Sequence, residues 1–174
     1  MIKNYLRNRI LRKKQSPVPT AIMPLSDVRN AVVFLNVEDT SYDDCKNDIL
    51  NYFRSKGIKV EIFFLELRRI GSGERLITSI TNTILQKDIN WLGIPSDEKL
   101  ALIDRINPDM LILLLPSDNF TVEFIAKYCK ARFKVGRRYI HDDVLDLVIA
   151  DRPNGELPAD KTFDNIKTFL EKIR

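Results

Sequence analysis

Glycine is scarce in this sequence, with six among 174 residues. None of the six lies in NVEDTSY, the loop that follows the first predicted strand. A nucleotide-binding loop at that place needs glycines, because the backbone must approach the phosphates at the start of the next helix. The pair in GSGE, at residues 71–74, lacks the lysine and hydroxyl residue of a phosphate-binding loop and predicts a turn. The sequence therefore contains no nucleotide-binding motif.

Histidine and cysteine are scarcer still, with one histidine and two cysteines in the chain. His141 precedes two aspartates and has no second histidine beside it, which favours a solvated turn over a metal site or a proton relay. Cys45 and Cys129 are far apart and predict reduced, packed thiols. We therefore predict no catalytic residue, no metal site and no cofactor, and an enzyme acting through carboxylates alone stays open.

The sequence also lacks a long hydrophobic run. The longest, MLILLLP, is far shorter than the roughly 18 residues that a membrane-spanning helix needs. Charged residues interrupt the apolar positions near the N-terminus, which argues against the continuous apolar centre of a signal peptide. These absences predict a cytoplasmic protein, with attachment to the inner face of the membrane as an alternative discussed below.

Acidic residues are missing from the first fourteen positions, MIKNYLRNRILRKK. The pattern predicts an amphipathic helix over residues 2–12. Its apolar stripe would consist of Ile2, Tyr5, Leu6 and Ile10, and its polar face mostly of Lys3, Arg7, Asn8 and Arg12. The basic residues of this arm are Lys3, Arg7, Arg9, Arg12, Lys13 and Lys14. The chain has 28 basic and 24 acidic residues, so the part outside the arm carries 22 against 24 and is slightly acidic.

Prolines separate this arm from the rest of the chain. Pro17, Pro19 and Pro24 rule out a continuous helix and predict a stiff spacer. The predicted organisation is a basic amphipathic arm over residues 1–14, a proline-containing linker over residues 15–24, and one domain over residues 25–174.

Short apolar runs alternate with amphipathic segments along that domain. NAVVFLN, IKVEIFFL and PDMLILLL are typical of strands, and SYDDCKNDILNYFRSKG, SDEKLALIDRI and NFTVEFIAKYCK of helices. Ser41 and Asp44 suggest a capping box at the first of these helices. We also predict a helix over Glu74–Ser79, a short strand near Asn82–Leu85, and short strands at RFKV and LDLVIA, of which RFKV has charges typical of an edge strand. ADKTFDNIKTFLEKI predicts the last helix. We predict an α/β fold: a doubly wound, mostly parallel, Rossmann-like sheet of about six strands.

Ligands of such sheets bind outside the carboxyl ends of the strands, where the strand order reverses. The loops after the first strand and after LILLL meet at that place. They provide a candidate crevice for a sugar or a nucleotide, whose residues are Asn36, Asp39, Thr40, Ser41, Ser117, Asp118 and Asn119. Helix capping is the competing and favoured explanation for the acids of the first loop.

A second basic cluster follows the fourth predicted helix of the domain. It consists of Lys127, Lys130, Arg132, Lys134, Arg137 and Arg138. The favoured explanations are that these charges interact with a helix dipole and that they keep an edge strand from pairing with other chains. A patch for an anion or an RNA backbone is the functional alternative.

The segments KDINWLGIP and PDMLILLLPSDNFTVEFIAKYCKARFKVG resemble a family of short bacterial proteins known only as a domain of unknown function. Its members share a basic amphipathic start, a K-D-x-N-W-x-G-x-P segment and a closing K-A-x-F-K-V-G. The resemblance implies a Rossmann-like cytoplasmic protein and no known activity. A weaker similarity connects the sheet to the N-terminal half of heptosyltransferase-like glycosyltransferases, and it implies a strand order but no catalytic residue.

Four functions compete for this chain. The first is a non-catalytic interaction or scaffold protein whose basic helix contacts a protein partner or a second copy. The second is peripheral attachment of the same helix to an anionic membrane. Small-molecule binding or a transferase-like remnant at the sheet crevice is the third, and association with RNA or the ribosome ranks last. Packing explains most amphipathic helices, so the sequence favours protein contact.

Overall fold

The computed structural model describes residues 1–68, 78–79, 81–115, 119–150, 155 and 157–174. Within these residues the chain forms five α-helices and six β-strands. In chain order they are α1 (Ile2–Lys13), β1 (Asn30–Asn36), α2 (Tyr42–Ser55), β2 (Lys59–Glu66), β3 (Thr83–Leu85), α3 (Asp97–Ile106), β4 (Met110–Leu114), α4 (Phe120–Tyr128), β5 (Phe133–Gly136), β6 (Leu147–Val148) and α5 (Ala159–Leu170). Short 3-10 helices occupy Leu25–Asp27 and Gln86–Asp88.

The six strands form one parallel sheet in the order β3-β2-β1-β4-β5-β6. The chain builds outward from β1 in one direction and then, from β4 onward, in the other. This is the doubly wound, Rossmann-like arrangement that the sequence predicted, and the fold class is confirmed. The point of reversal lies between β1 and β4.

Burial on both faces explains why β1 is apolar at consecutive positions. Val33 and Leu35 pack into one core cluster with α2 and α5, whereas Val32 and Phe34 pack into a second cluster with α3 and α4. All five central residues of β1 are buried. A parallel strand covered by helices on both sides needs apolar side chains on both faces, so apolar and polar residues do not alternate along it.

Two local predictions were wrong. β5 pairs with β4 on one side and with β6 on the other, so it is an interior strand and not the edge strand that its charges suggested. Ser41 precedes α2 but makes no capping hydrogen bond to it. Its hydroxyl instead donates to Asp39 at 2.7 Å and accepts the N–H of Asp160, the second residue of α5, at 3.2 Å.

The short strand predicted near Asn82–Leu85 is present as β3. Most of the helix predicted over Glu74–Ser79 lies outside the described residues.

The arm is helical to Lys13, one residue beyond its predicted end. Gly57 follows α2 with φ of 71°, a left-handed conformation that glycine adopts without steric cost and that ends the helix.

Candidate functional site

Helix α1 lies against the domain and packs on α4. Ile10 and Leu11, both half-buried, contact a cluster formed by Leu100, Phe120 and Phe124. No residue of α1 is fully buried, so the contact involves one side of the helix only. A helix of this length is marginally stable alone in water, and the domain therefore supplies the surface that keeps it folded.

Basic side chains of α1 contribute to the same contact. The Arg7 Nε–H donates to the Leu92 carbonyl at 2.6 Å, and the Arg7 guanidinium lies 5.0 Å from the centre of the Phe120 ring. The ammonium group of Lys14 lies 4.7 Å from the centre of the Phe124 ring and 4.9 Å from that of Tyr128. Cations placed over aromatic faces in this way are attracted by the ring quadrupole.

The domain reaches back to the arm with two buried lysines. Lys127 donates to the Leu11 carbonyl near the end of α1 at 2.8 Å and also contacts Asp142. The ammonium group of Lys134 donates to the Ser16 hydroxyl at 3.0 Å and to the Ala126 carbonyl at 2.7 Å. Burial lowers the pKa of Lys134. These contacts fix the end of the helix and the start of the linker.

The outward face of α1 combines apolar and basic side chains. Ile2 is 74% exposed and Tyr5 67%, and Met1 beside them is fully exposed. Lys3, Arg9, Arg12 and Lys13 are also exposed. The helix has no acidic residue, and its last turn is basic, as the helix dipole favours. We call Met1, Ile2, Lys3, Tyr5, Arg9 and Lys13 the outer face.

The predicted apolar stripe differs from the face that actually packs. Ile10 lies inward as expected, but Ile2 and Tyr5 face solvent and Arg7 faces the domain. The aliphatic stem and planar head of arginine can cover an aromatic ring, so a basic residue replaces an apolar one at the contact. The spacing of Phe120, Phe124 and Tyr128, four residues apart along α4, is the sequence signal that could have identified the docking surface.

The second basic cluster does not form a continuous patch. Lys127, Lys134 and Arg137 are buried, and Arg138 is half-buried. The two exposed members form ion pairs, Lys130 with Asp104 at 3.7 Å and Arg132 with Asp109 at 2.9 Å. Three of the six side chains are therefore withdrawn from the surface, and the two exposed ones already have acidic partners.

The predicted crevice residues have local roles as well. Asp39 accepts the N–H of Ala159 at 3.0 Å and so caps α5, together with Ser41. Asn119 accepts the N–H of Thr121 at 2.8 Å at the start of α4, and Asn36 accepts the N–H of Glu38 at 3.0 Å. Thr40 is exposed. Ser117 and Asp118 lie outside the described residues.

The described residues contain no group of three or more histidine, cysteine or acidic side chains placed to hold a metal ion. None of their helices is long and apolar enough to cross a membrane.

Comparison with known proteins places the chain in a family without assigning it an activity. The match to DUF6913, a family of unknown function, extends over residues 1–173 and includes the arm, the linker and the sheet. No curated protein and no solved structure matches the chain, so the similarity to heptosyltransferase-like enzymes has no support. The chain belongs to the DUF6913 family of unknown function.

Proposed function

We propose that this protein is a non-catalytic interaction protein that attaches to an anionic membrane through the outer face of α1. The observation that carries the proposal is the exposure of Ile2 and Tyr5 beside basic residues on a helix without acids. The Rossmann-like domain would then lie in the cytoplasm, held at the inner face of the membrane.

The outer face has the composition of an interfacial helix. Each lysine or arginine near an anionic surface contributes about 1 kcal/mol, so Lys3, Arg9 and Lys13 together contribute about 3 kcal/mol. Partial insertion of Ile2 and Tyr5 adds roughly 3 kcal/mol. The sum of about 6 kcal/mol corresponds to an apparent dissociation constant on the order of tens of micromolar, which is reversible binding.

Docking of α1 on the domain favours this function. A free basic helix must fold when it reaches the membrane, and the ordering of its backbone opposes binding. Here the contacts of Arg7, Ile10 and Leu11 with the domain hold the helix before binding. The outer face is thus presented in a fixed geometry.

Contact with a protein partner or with a second copy, which the sequence favoured, has less surface available to it. Ile10 and Leu11 already pack on the same chain. A second copy would have Met1, Ile2 and Tyr5 as its apolar contacts, and stable interfaces bury more than about 1,000 Å² in total. A dimer held by these residues is one outcome of the test that follows.

The test is co-sedimentation with vesicles of phosphatidylglycerol and phosphatidylcholine, and with vesicles of phosphatidylcholine alone. We expect the full chain to pellet with the anionic vesicles only and to be released by salt. Ile2→Ser/Tyr5→Ser and Arg9→Gln/Lys13→Gln should each reduce pelleting at least fivefold. Phe169→Ser, which changes an exposed aromatic residue of α5, is the matched control and should bind normally.

Point variants are preferable to removal of the arm, because deletion would expose Phe120 and Phe124 and create a new apolar surface. Equal pelleting with neutral vesicles would contradict the proposal. So would unchanged pelleting of both outer-face variants. Self-association would be established instead if the parent protein does not bind vesicles and is a dimer in solution, while Ile2→Ser/Tyr5→Ser has the molar mass of a monomer.

A further inference from the structure

A polar groove separates the end of the arm from the domain. It consists of two neighbouring cavities of about 460 Å³ and about 330 Å³. Both are lined by Arg12 from α1, Lys127 from α4 and Asp142 from the loop after β5. The volume of the larger cavity is in the range that holds a small ligand.

The arm contributes hydrogen-bond donors to this groove. Arg12 and Lys14 line the larger cavity, together with Gln15 and Ser16 of the linker. The side chains of Arg12 and Lys14 make no hydrogen bond or ion pair with any residue that the structure describes. Lys14 is held in place by its contacts with the Phe124 and Tyr128 rings. Two cationic groups are thus available to an anion.

The domain contributes acceptors on the opposite wall. Asp142 and Asp143 line the larger cavity, and His141 lines the smaller one. The hydrogen bond from Lys127 lowers the pKa of Asp142, so this side chain is a carboxylate at neutral pH. Among the residues that the structure describes, Asp143 receives one hydrogen bond, a long O–H bond of 3.5 Å from Tyr139. The carboxylates are therefore able to accept further hydrogen bonds.

Lys127 joins the two walls. Its side chain is 3% exposed, and its ammonium group contacts both Asp142 and the Leu11 carbonyl of α1. A buried ammonium group that connects the arm to the loop fixes the distance between the cationic and the anionic side of the groove. The groove is therefore a built feature of the docked arm, with donors on one wall and acceptors on the other.

We infer that this groove binds a phosphate ester that carries neighbouring hydroxyl groups, of the glycerophosphate class. The phosphate would lie against Arg12 and Lys14, because guanidinium and ammonium groups form charge-assisted bonds with phosphate oxygens. The hydroxyl groups would donate to Asp142 and Asp143. The inference rests on the proposed function, since the headgroup of an anionic phospholipid offers this chemistry, and free glycerol 3-phosphate offers it too.

The first arm of the test is titration of the full-length protein with glycerol 3-phosphate, followed by amide chemical shifts. We expect binding that perturbs the amides of Ser16, Val18, Thr20 and residues 142–144, and that is stronger than binding of inorganic phosphate or of glycerol. Arg12→Gln should weaken it about tenfold, the loss typical of one charge-assisted hydrogen bond. Asp143→Asn should reduce the preference of the groove for glycerol 3-phosphate over inorganic phosphate. Lys172→Gln, on the distant C-terminal segment, is the control. Unchanged thermal unfolding temperatures would show that the variants remain folded.

The second arm compares vesicle binding with binding of the free probe. If the protein sediments with phosphatidylglycerol vesicles but glycerol 3-phosphate does not perturb the groove residues, this inference is overturned. The membrane proposal then remains intact. Groove binding without sedimentation would support the site for a soluble phosphate ester and contradict the membrane proposal. Equal affinities of the parent, Arg12→Gln and Asp143→Asn for glycerol 3-phosphate would refute the groove as the site.

Discussion

Truncation of Leu11 to alanine should loosen the docked helix without weakening the sheet. Leu11 is half-buried against the cluster of Leu100, Phe120 and Phe124. Complete burial of a leucine side chain is worth about 1.5–3 kcal/mol, so a half-buried one contributes roughly 1 kcal/mol. The substitution keeps the Leu11 carbonyl and its bond from Lys127. The expected loss of docking free energy is therefore about 1 kcal/mol, or roughly a fivefold change in the docking equilibrium.

Amide hydrogen exchange measures this quantity directly. Because a short helix is marginal alone, the amides of α1 exchange when the helix leaves the domain. We expect their protection to fall roughly fivefold in Leu11→Ala. The amides of β1 and β4 exchange through global unfolding and should keep their protection.

Ile2→Ala is the control, since Ile2 lies on the outer face and is 74% exposed. It should leave the protection of α1 unchanged. Exchange of the α1 amides at unprotected rates in the parent protein would refute the docked arm. Equal losses in Leu11→Ala and Ile2→Ala would refute the assignment of the docking face.

Three further predictions concern the domain. Asp39→Ala removes the carboxylate that caps α5 at the N–H of Ala159, and it should lower the free energy of unfolding in urea by about 1 kcal/mol. Burial raises the pKa of Cys45 to about 12 and also raises that of Cys129, so neither thiol should react with iodoacetamide at pH 8 in the folded protein. Burial of Asp109 opposes its charge, but bonds from two backbone N–H groups and one arginine outweigh burial and lower its pKa. Asp109 therefore stabilises the fold above the unfolded pKa near 3.9, and this stability is lost as the pH falls through the lower folded value. Asp109→Asn should reduce stability at pH 7 and flatten its decline in acid.

Each of these predictions has a contradicting result. Thr40→Ala changes an exposed neighbour of Asp39, and an equal loss of stability in that variant would exclude the capping role. Alkylation in native buffer as fast as in urea would contradict the burial of Cys45 and Cys129. Parallel curves of unfolding free energy against pH for the parent and Asp109→Asn would contradict the lowered pKa of Asp109.

The centre of the sheet could be predicted because its strands are covered on both faces. β1 and β4 are apolar at every central position, a pattern that few other structures require. The strand predicted at LDLVIA is present as β6, although the strand itself is limited to Leu147 and Val148. What could not be predicted is the order of the outer strands in the sheet. Lys134 suggested an exposed edge in β5, but its ammonium group is held by Ser16, far away in sequence.

The arm shows a second limit of sequence patterns. Periodicity identified the helix correctly, but the rotation of the helix about its axis depends on what it meets. Arg7 and Lys14 contact aromatic rings of α4, so basic residues replace apolar ones at the interface. The groove beside them includes Asp142 and Lys127, whose proximity depends on tertiary structure and has no signature in the sequence.

The measurement that tests the central claim most directly places a fluorophore on the outer face. Tyr5→Trp in a Trp91→Phe background leaves one indole, at position 5 of α1. With phosphatidylglycerol vesicles we predict a blue shift of its emission and quenching by brominated acyl chains, both reversed by salt. With phosphatidylcholine vesicles neither change should occur. Emission that stays the same with anionic vesicles would contradict the account, because the outer face would then not enter the membrane.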